Sequence, residues 1–276
     1  MNPLTVAYKY GCIDAIQLLR EEGADPQSIV RNVIKDNNLS ILKLLVPCAG
    51  LSYIDHNTSP SVVGFLLSNG DMVDIDTIKR ITDRSQGTNL QLLEVILKNL
   101  DDEVLYWSKD VPLIHHAVTS KYIDMLKIIL KHQKDVDIRD NDGSTALHIV
   151  SKHGNKNMVV MLLSSDADPN KIDTKGNTPL HHACKVLDQD DIVTLLLQYN
   201  ADPNIPNALG ITPMQEALTA CNITVIDLLK KYGGKLDEMD IYDGGNDEYE
   251  EILNHLSEDM YATDDWYRRS LDYGRR

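Results

Sequence analysis

Apolar residues recur along the chain at helical spacing, and polar punctuation separates them at regular intervals. Val159, Leu162 and Leu163 stand at i, i+3 and i+4, and Ile192, Leu195 and Leu196 repeat the arrangement, as do Val225, Leu228 and Leu229. Each set predicts a helix with one apolar face. A shorter helix is expected ahead of each, opened by Thr145, Thr178 or Thr212 as N-cap, with Pro179 or Pro213 at the first helical position, where a missing N–H costs nothing. Gly23, Asp166 and Asn200 stand where second helices should end, and all three tolerate left-handed backbone. Asp142-Gly143 and Lys175-Gly176 then predict turns into the next unit.

These signals repeat. Gly143 and Gly176 lie 33 positions apart and Gly176 and Gly210 lie 34 apart, with one residue inserted around Leu187-Asp188-Gln189. The words Thr178-Pro179-Leu180-His181 and Ala201-Asp202-Pro203-Asn204, at that period, resemble the ankyrin repeat family. The resemblance implies an all-α solenoid in which every unit contributes a turn and two antiparallel helices. It is strong over 107–236, good over 1–26, and reduced over 27–106 to echoes such as Ile41-Leu42, Val62-Val63 and Leu92-Leu93. The echoes predict units with shortened turns, about eight units in all, and a softer stretch over 27–106. Each unit buries its helical faces only against its neighbours, so the array stands or falls as a stack. The expected domains are a solenoid over 1–236, a linker over 237–247 and an acidic helix and tail over 248–276.

Composition narrows the function. The 276 residues carry a formal net charge of −15 with 42% hydrophobic and 5% aromatic content, which excludes collagen, a disulfide scaffold and a wholly disordered chain. An acidic balance argues against nucleic acid as partner, and no apolar run approaches the roughly 20 residues that cross a bilayer. The start, Met1-Asn2-Pro3-Leu4, shows no signal peptide, and Cys12, Cys48, Cys184 and Cys221 are widely spaced, so the expected setting is cytoplasmic, with a monomeric chain. Abundant Ile, Asn, Asp and Lys suit an AT-rich genome such as that of a virus or intracellular microbe, which would place the protein in a host cytosol or nucleus.

Chemistry is sparse. His115, His148 and His181 recur at the repeat period, one layer apart, about 8–10 Å by helix packing, too far to share an ion that binds imidazole at about 2.0–2.1 Å. The family resemblance implies instead that this histidine hydrogen-bonds between repeats. Cys184 and Cys221 have no readable catalytic partner, and Gly233-Gly234 and Gly244-Gly245 lack the context of a phosphate loop. No enzyme activity, cofactor or metal is expected.

Binding remains. The resemblance implies a concave groove built from turn tips and the exposed residues of each first helix. Those positions are Trp107 and Lys109, then Asn141, Asp142, Ser144, Lys152 and His153, then Thr174, Lys175, Asn177 and Lys185, then Leu209 and Ile211. Trp107 is an anchor candidate, and Lys109, Lys152, Lys175 and Lys185 would form a basic stripe for an acidic or phosphorylated segment of another protein.

Residues 237–276 hold 13 acidic and 4 basic side chains. Ile252, Leu253, Leu256 and Met260 share one side of a short helix that could cap the last repeat. The same segment resembles the opening helix of an F-box, although its leading Leu-Pro is absent. Tyr249-Glu250-Glu251-Ile252 resembles a phosphotyrosine motif of the kind Src-homology-2 domains take, making Tyr249 a candidate phosphosite. Three readings follow: an adaptor holding a partner protein in the groove, a substrate receptor for a cullin ubiquitin ligase, or a scaffold masked by its own acidic tail.

Overall fold

The computed structural model describes residues 2–45, 53–71, 73, 75–82, 89–99, 106–108, 111–133 and 135–235. The tail beyond 235, including Tyr249 and the F-box-like segment, lies outside them, as does Lys109. The chain divides into two compact units, one ending at Asn141 and one beginning at Asp142.

In the first unit the helices are α1 (Pro3–Lys9), α2 (Ile13–Glu21), α3 (Gln27–Lys35), α4 (Leu39–Leu45), α5 (Pro60–Ser68), α6 (Ile75–Thr82), α7 (Leu90–Asn99), α8 (Leu113–Thr119) and α9 (Ile123–His132). Asn2 caps α1 by accepting the Leu4 N–H at 3.0 Å, with Pro3 at the first helical position. Helix α1 packs on α3, α2 on α4, α5 on α7, and α7 on α9, so like helices stack from layer to layer. The echoes at 41–45, 62–67 and 92–97 are the inward faces of α4, α5 and α7, where Leu42, Val63 and Leu93 are fully buried. Only residues 22–26 join α2 to α3, against residues 164–178 at the corresponding place in the second unit. The turn that projects from a full repeat is therefore left out, which is why the period disappears there. Ahead of α8 the turn is a small antiparallel hairpin, β1 (Tyr106–Ser108) with β2 (Val111–Pro112), pairing Tyr106 with Pro112.

The second unit is regular. Its first helices are α10 (Ala146–His153), α12 (Pro179–Cys184) and α14 (Pro213–Thr219), and its second helices are α11 (Lys156–Leu163), α13 (Asp190–Gln198) and α15 (Ile223–Lys231). Each series stacks on itself, and Leu162, Leu196 and Leu229, at equivalent places, are all fully buried. The short second helices are held by burial, since isolated helices below about 12–15 residues are marginal in water. The Ala-Asp-Pro-Asn words act after the second helices. Asn170 accepts the Asp202 N–H at 2.7 Å and donates to the Asn200 carbonyl, while Asn204 accepts the Lys235 N–H at 2.8 Å and donates to the Gly233 carbonyl. One asparagine per layer thus ties its neighbour's backbone. Asp166 and Asn200 adopt φ of 64° and 65°, the left-handed helix ends that their residue types suggested.

Regular turns and amide ties in residues 142–235, and their omission after α2, predict unequal local stability. Hydrogen exchange followed by mass spectrometry should show amides of 27–99 exchanging well before those of α12 and α13. Equal protection would remove the distinction.

Candidate partner-binding face

The candidate face of the second unit is built on successive turns, and one hydrogen-bond scheme fixes two of them, at Asp173 and at Asn207. Asp173 Oδ1 accepts the backbone N–H groups of Lys175 and Asn177, both at 2.8 Å, and its Oδ2 accepts from His182 Nε2 at 3.0 Å and from the Asn177 amide at 3.2 Å. In the next turn Asn207 plays the same part, accepting the N–H groups of Leu209 at 2.9 Å and Ile211 at 3.0 Å. A side chain that folds back onto backbone N–H groups in this way fixes a turn without any help from a sheet. Successive turns are then joined to one another. Thr174 donates its N–H to the Asp142 carbonyl and Ala208 donates to the Lys175 carbonyl, both at 2.9 Å. The Asn207 amide bonds Asn177 Oδ1 at 2.9 Å.

The histidines fasten this ladder to the helices. His148 Nδ1 accepts the Thr145 N–H at 3.1 Å, and its Nε2–H donates to the Asn177 carbonyl of the next layer at 3.0 Å. His181 repeats both bonds, to the Thr178 N–H and to the Ile211 carbonyl, each at 3.0 Å. Thr145, Thr178 and Thr212 are the N-caps, as their positions indicated, and Gln215 takes the histidine's place in the third layer by accepting the Thr212 N–H at 2.7 Å. An Nδ1 that accepts and an Nε2 that donates make a neutral ring. Burial pushes the His148 pKa down to about 4 and lowers those of His181 and His182 as well. Burial works against the charge of Asp173, but hydrogen bonds from Asn177 and His182 outweigh it and hold the carboxyl below its ordinary range.

Solvent meets the tips of these turns and one side of the first helices. Asp142, Lys175 and Leu209 occupy the same position in three consecutive turns, and all are exposed, Leu209 to 82%. Thr174, Lys152 and His153 are exposed as well, with Ser144 and Ile211 half-buried. Asn141, the last residue of the first unit, is exposed. Trp107 lies in β1.

Two expectations change. Asn177 does not face a partner: it is 4% exposed, and its amide is spent joining Asp173 to Asn207. Lys185 is exposed, yet its ammonium lies 2.9 Å from Glu216 Oε1, a carboxylate held on α14 in the next layer. The basic stripe is therefore interrupted, by this pair and by Asp142, and among the described residues Lys152 and Lys175 are its lysines with no ion pair. His182 and Glu216, at one position of consecutive first helices, were not foreseen as part of this face. The signal available was two polar residues, His182 and Glu216, where α10 carries Ile149. Among the described residues no three His, Cys, Asp or Glu side chains gather as a metal would need, and no helix is long and apolar enough to cross a membrane.

Comparison with known proteins agrees with this geometry. The family model described as ankyrin repeats (3 copies) matches residues 31–173, 114–207 and 165–243. The match ends before the F-box-like segment, and that resemblance gains no support. An ankyrin repeat protein of fowlpox virus, FPV230, is 30% identical over 104 residues, 37% of this chain and 55% of that protein. The tyrosine-protein kinase HTK16 of Hydra vulgaris is 28% identical over 183 residues, 65% of this chain and 23% of the kinase. An L-asparaginase of Dirofilaria immitis is 49% identical over 59 residues, which is 21% of this chain and only 10% of that enzyme, so the likeness carries no activity with it. The chain thus spans between a tenth and about half the length of the first relatives it matches. With stacked helix pairs, tied turns, the histidine column and a family match across most of its length, the chain belongs to the ankyrin repeat family.

Proposed function

We propose that this protein is a non-enzymatic adaptor that holds a partner protein along the turn tips and first helices of its second unit. Ankyrin repeats are protein–protein interaction modules, and the observation that supports this face is the exposed row Asp142, Lys175 and Leu209 on turns that are themselves immobilised. A rigid scaffold with exposed, unlike side chains at its tips loses little conformational entropy on binding. The polar groups beneath it, His148, His181, Asp173 and Asn177, are occupied in holding the turns, which favours a docking role over a catalytic one. Leu209 supplies apolar contact, and Lys152 and Lys175 favour an acidic or phosphorylated stretch of the partner nearby. Poxvirus relatives suit a protein that engages a host partner inside an infected cell.

The test is to identify the partner by proximity labelling in the native cell and then measure its affinity for purified variants. Leu209→Asp should weaken binding at least about tenfold, since burying a leucine contributes about 1.5–3 kcal/mol. Lys152→Glu with Lys175→Glu should weaken it further at low salt. Because all three side chains are exposed, the circular dichroism and melting temperature should stay unchanged. Affinity unaffected by either change would move the interface away from this face.

A further inference from the structure

His182 steadies the second unit with one ring nitrogen and leaves the other for a ligand. Its Nε2–H donates to Asp173 Oδ2 at 3.0 Å, while Nδ1 bonds no described residue and is not enclosed. The side chain keeps 20% of its surface exposed, and the ring stands edge-on to His148 with centroids 5.8 Å apart. Its orientation is thus set from two sides before anything binds. Lys185 follows one helical turn later on α12, the i, i+3 spacing that puts both side chains on one face. Lys152 holds the equivalent place on α10, one layer back. Burial is the main cause of the lowered His182 pKa; Asp173 draws it upward, and the charges of Lys185 and Lys152 press it down again. The carboxylates nearby are already engaged. Asp173 accepts four hydrogen bonds through its two oxygens, and Glu216 occupies one of the three N–H donors of Lys185. The remaining titratable neighbours, His148 and His181, are neutral rings turned to backbone carbonyls.

We propose that Lys152, His182 and Lys185 form a site for a phosphorylated side chain of the partner, one phosphate oxygen meeting His182 Nδ1 and the others the two ammonium groups. The inference rests on the adaptor reading for its partner and names the chemistry that the partner must carry. A phosphate monoester brings three acceptor oxygens and about −1.5 to −2 charge on one centre, which three groups placed around a single point can share. A carboxylate has one charge and two oxygens, too few to engage all three. Near neutral pH Nδ1 has no proton, so the complex takes one from solvent and shares it between Nδ1 and the phosphate oxygen. Asp173, on the opposite nitrogen, stabilises the ring in that charged form.

Phenyl phosphate tests the site on the full chain without a partner. In protein carrying carbon-13 histidine it should shift the His182 ring signal in nuclear magnetic resonance spectra, saturably, while His56 in the first unit stays still. Benzoate, with the same ring and a single charge, should bind more weakly. Lys152→Gln, an exposed change that leaves the melting temperature alone, should weaken phenyl phosphate at least about tenfold, the size of one lost charge-assisted hydrogen bond. Affinity should also rise as pH falls from about 8 to about 6.5, a range in which the phosphate keeps most of its second charge. His182→Gln should abolish that rise. Shifts that are absent, unsaturable or equal with benzoate overturn the proposal, as does full affinity in Lys152→Gln. If phenyl phosphate binds as expected while Leu209→Asp leaves partner affinity unchanged, the adaptor face is what fails. If a partner binds the face and phenyl phosphate does not, only the phosphate site fails.

Discussion

Replacing Gly176 by alanine should unfold the second unit far more readily than the same change at Gly210. The two glycines hold the same place in consecutive turns, at φ of 77° and 80°, so each alanine meets the same backbone penalty, roughly 1–2 kcal/mol for left-handed geometry. They differ in what lies beyond. A Cβ on Gly176 would stand 2.6 Å from the Ala208 nitrogen and 3.1 Å from the Asn207 carbonyl carbon, both backbone atoms of the next turn, whereas a Cβ on Gly210 would meet nothing within 4 Å. Backbone cannot rotate aside as a side chain can, so the Ala208-to-Lys175 hydrogen bond must stretch or the turns must part. Overpacking of this kind adds typically about 1–3 kcal/mol. Gly176→Ala should therefore cost about 3 kcal/mol or more and Gly210→Ala about half of that. Gly143, with Thr174 nitrogen at 3.0 Å, should fall between. Urea denaturation of the three variants checks the order, and equal losses would mean that the turn after Gly176 does not crowd an added Cβ.

The second large effect is at His148. It joins two buried backbone groups in different layers, the Thr145 N–H and the Asn177 carbonyl, with Thr145 wholly buried and Asn177 nearly so. His148→Ala strands both, and each buried group left unpaired costs about 1–3 kcal/mol. His148→Gln should lose far less, because an amide can accept with its oxygen, as Gln215 already does from Thr212, and donate with its nitrogen. The pair also separates a pH effect. Burial holds His148 near 4 in the folded protein, against about 6.5 for a free histidine. Between those values the unfolded chain binds the extra proton, so the histidine's contribution is complete above about pH 6.5 and is lost as pH falls toward 4. That amounts to about 3 kcal/mol across the window. His181 and His182, also depressed by burial, act in the same direction, while Asp173 loses its contribution only below its own ordinary range. Unfolding midpoints at pH 7.5, 5.5 and 4.5 should fall less steeply in His148→Gln than in the parent. Parallel slopes would show that His148 is not the group responsible.

Repetition explains how much of this architecture could be read from residues alone. Thr145, Thr178 and Thr212 announce helix starts because a cap is a local bond, made within three residues. Leu162, Leu196 and Leu229 mark one buried face because helix geometry maps spacing onto direction. Weak echoes at Leu42, Val63 and Leu93 were enough to place helices where the turns had been dropped. The proposed face was read less completely. Asn177 sits in a polar turn like any exposed residue, and only the neighbouring Asn207, one period away, turns its amide inward. Lys185 reads as a free cation until Glu216 is seen beside it in the next layer. The hairpin at 106–112 and the division of the chain after Asn141 were not legible either.

Taken alone, the order of residues determined what each repeat is: where its helices begin and end, which face is apolar, and that Gly, Thr and His recur at a fixed period. These follow from interactions within one unit, whose range is a few residues. Which polar side chains remain available to a partner was decided only by stacking, since that depends on bonds such as Asn177 to Asn207 and Lys185 to Glu216 between residues about one repeat apart. A layer's own sequence contains no record of what its neighbour will offer, and Lys152 and Lys175 are left without an ion pair among the described residues once the layers have met.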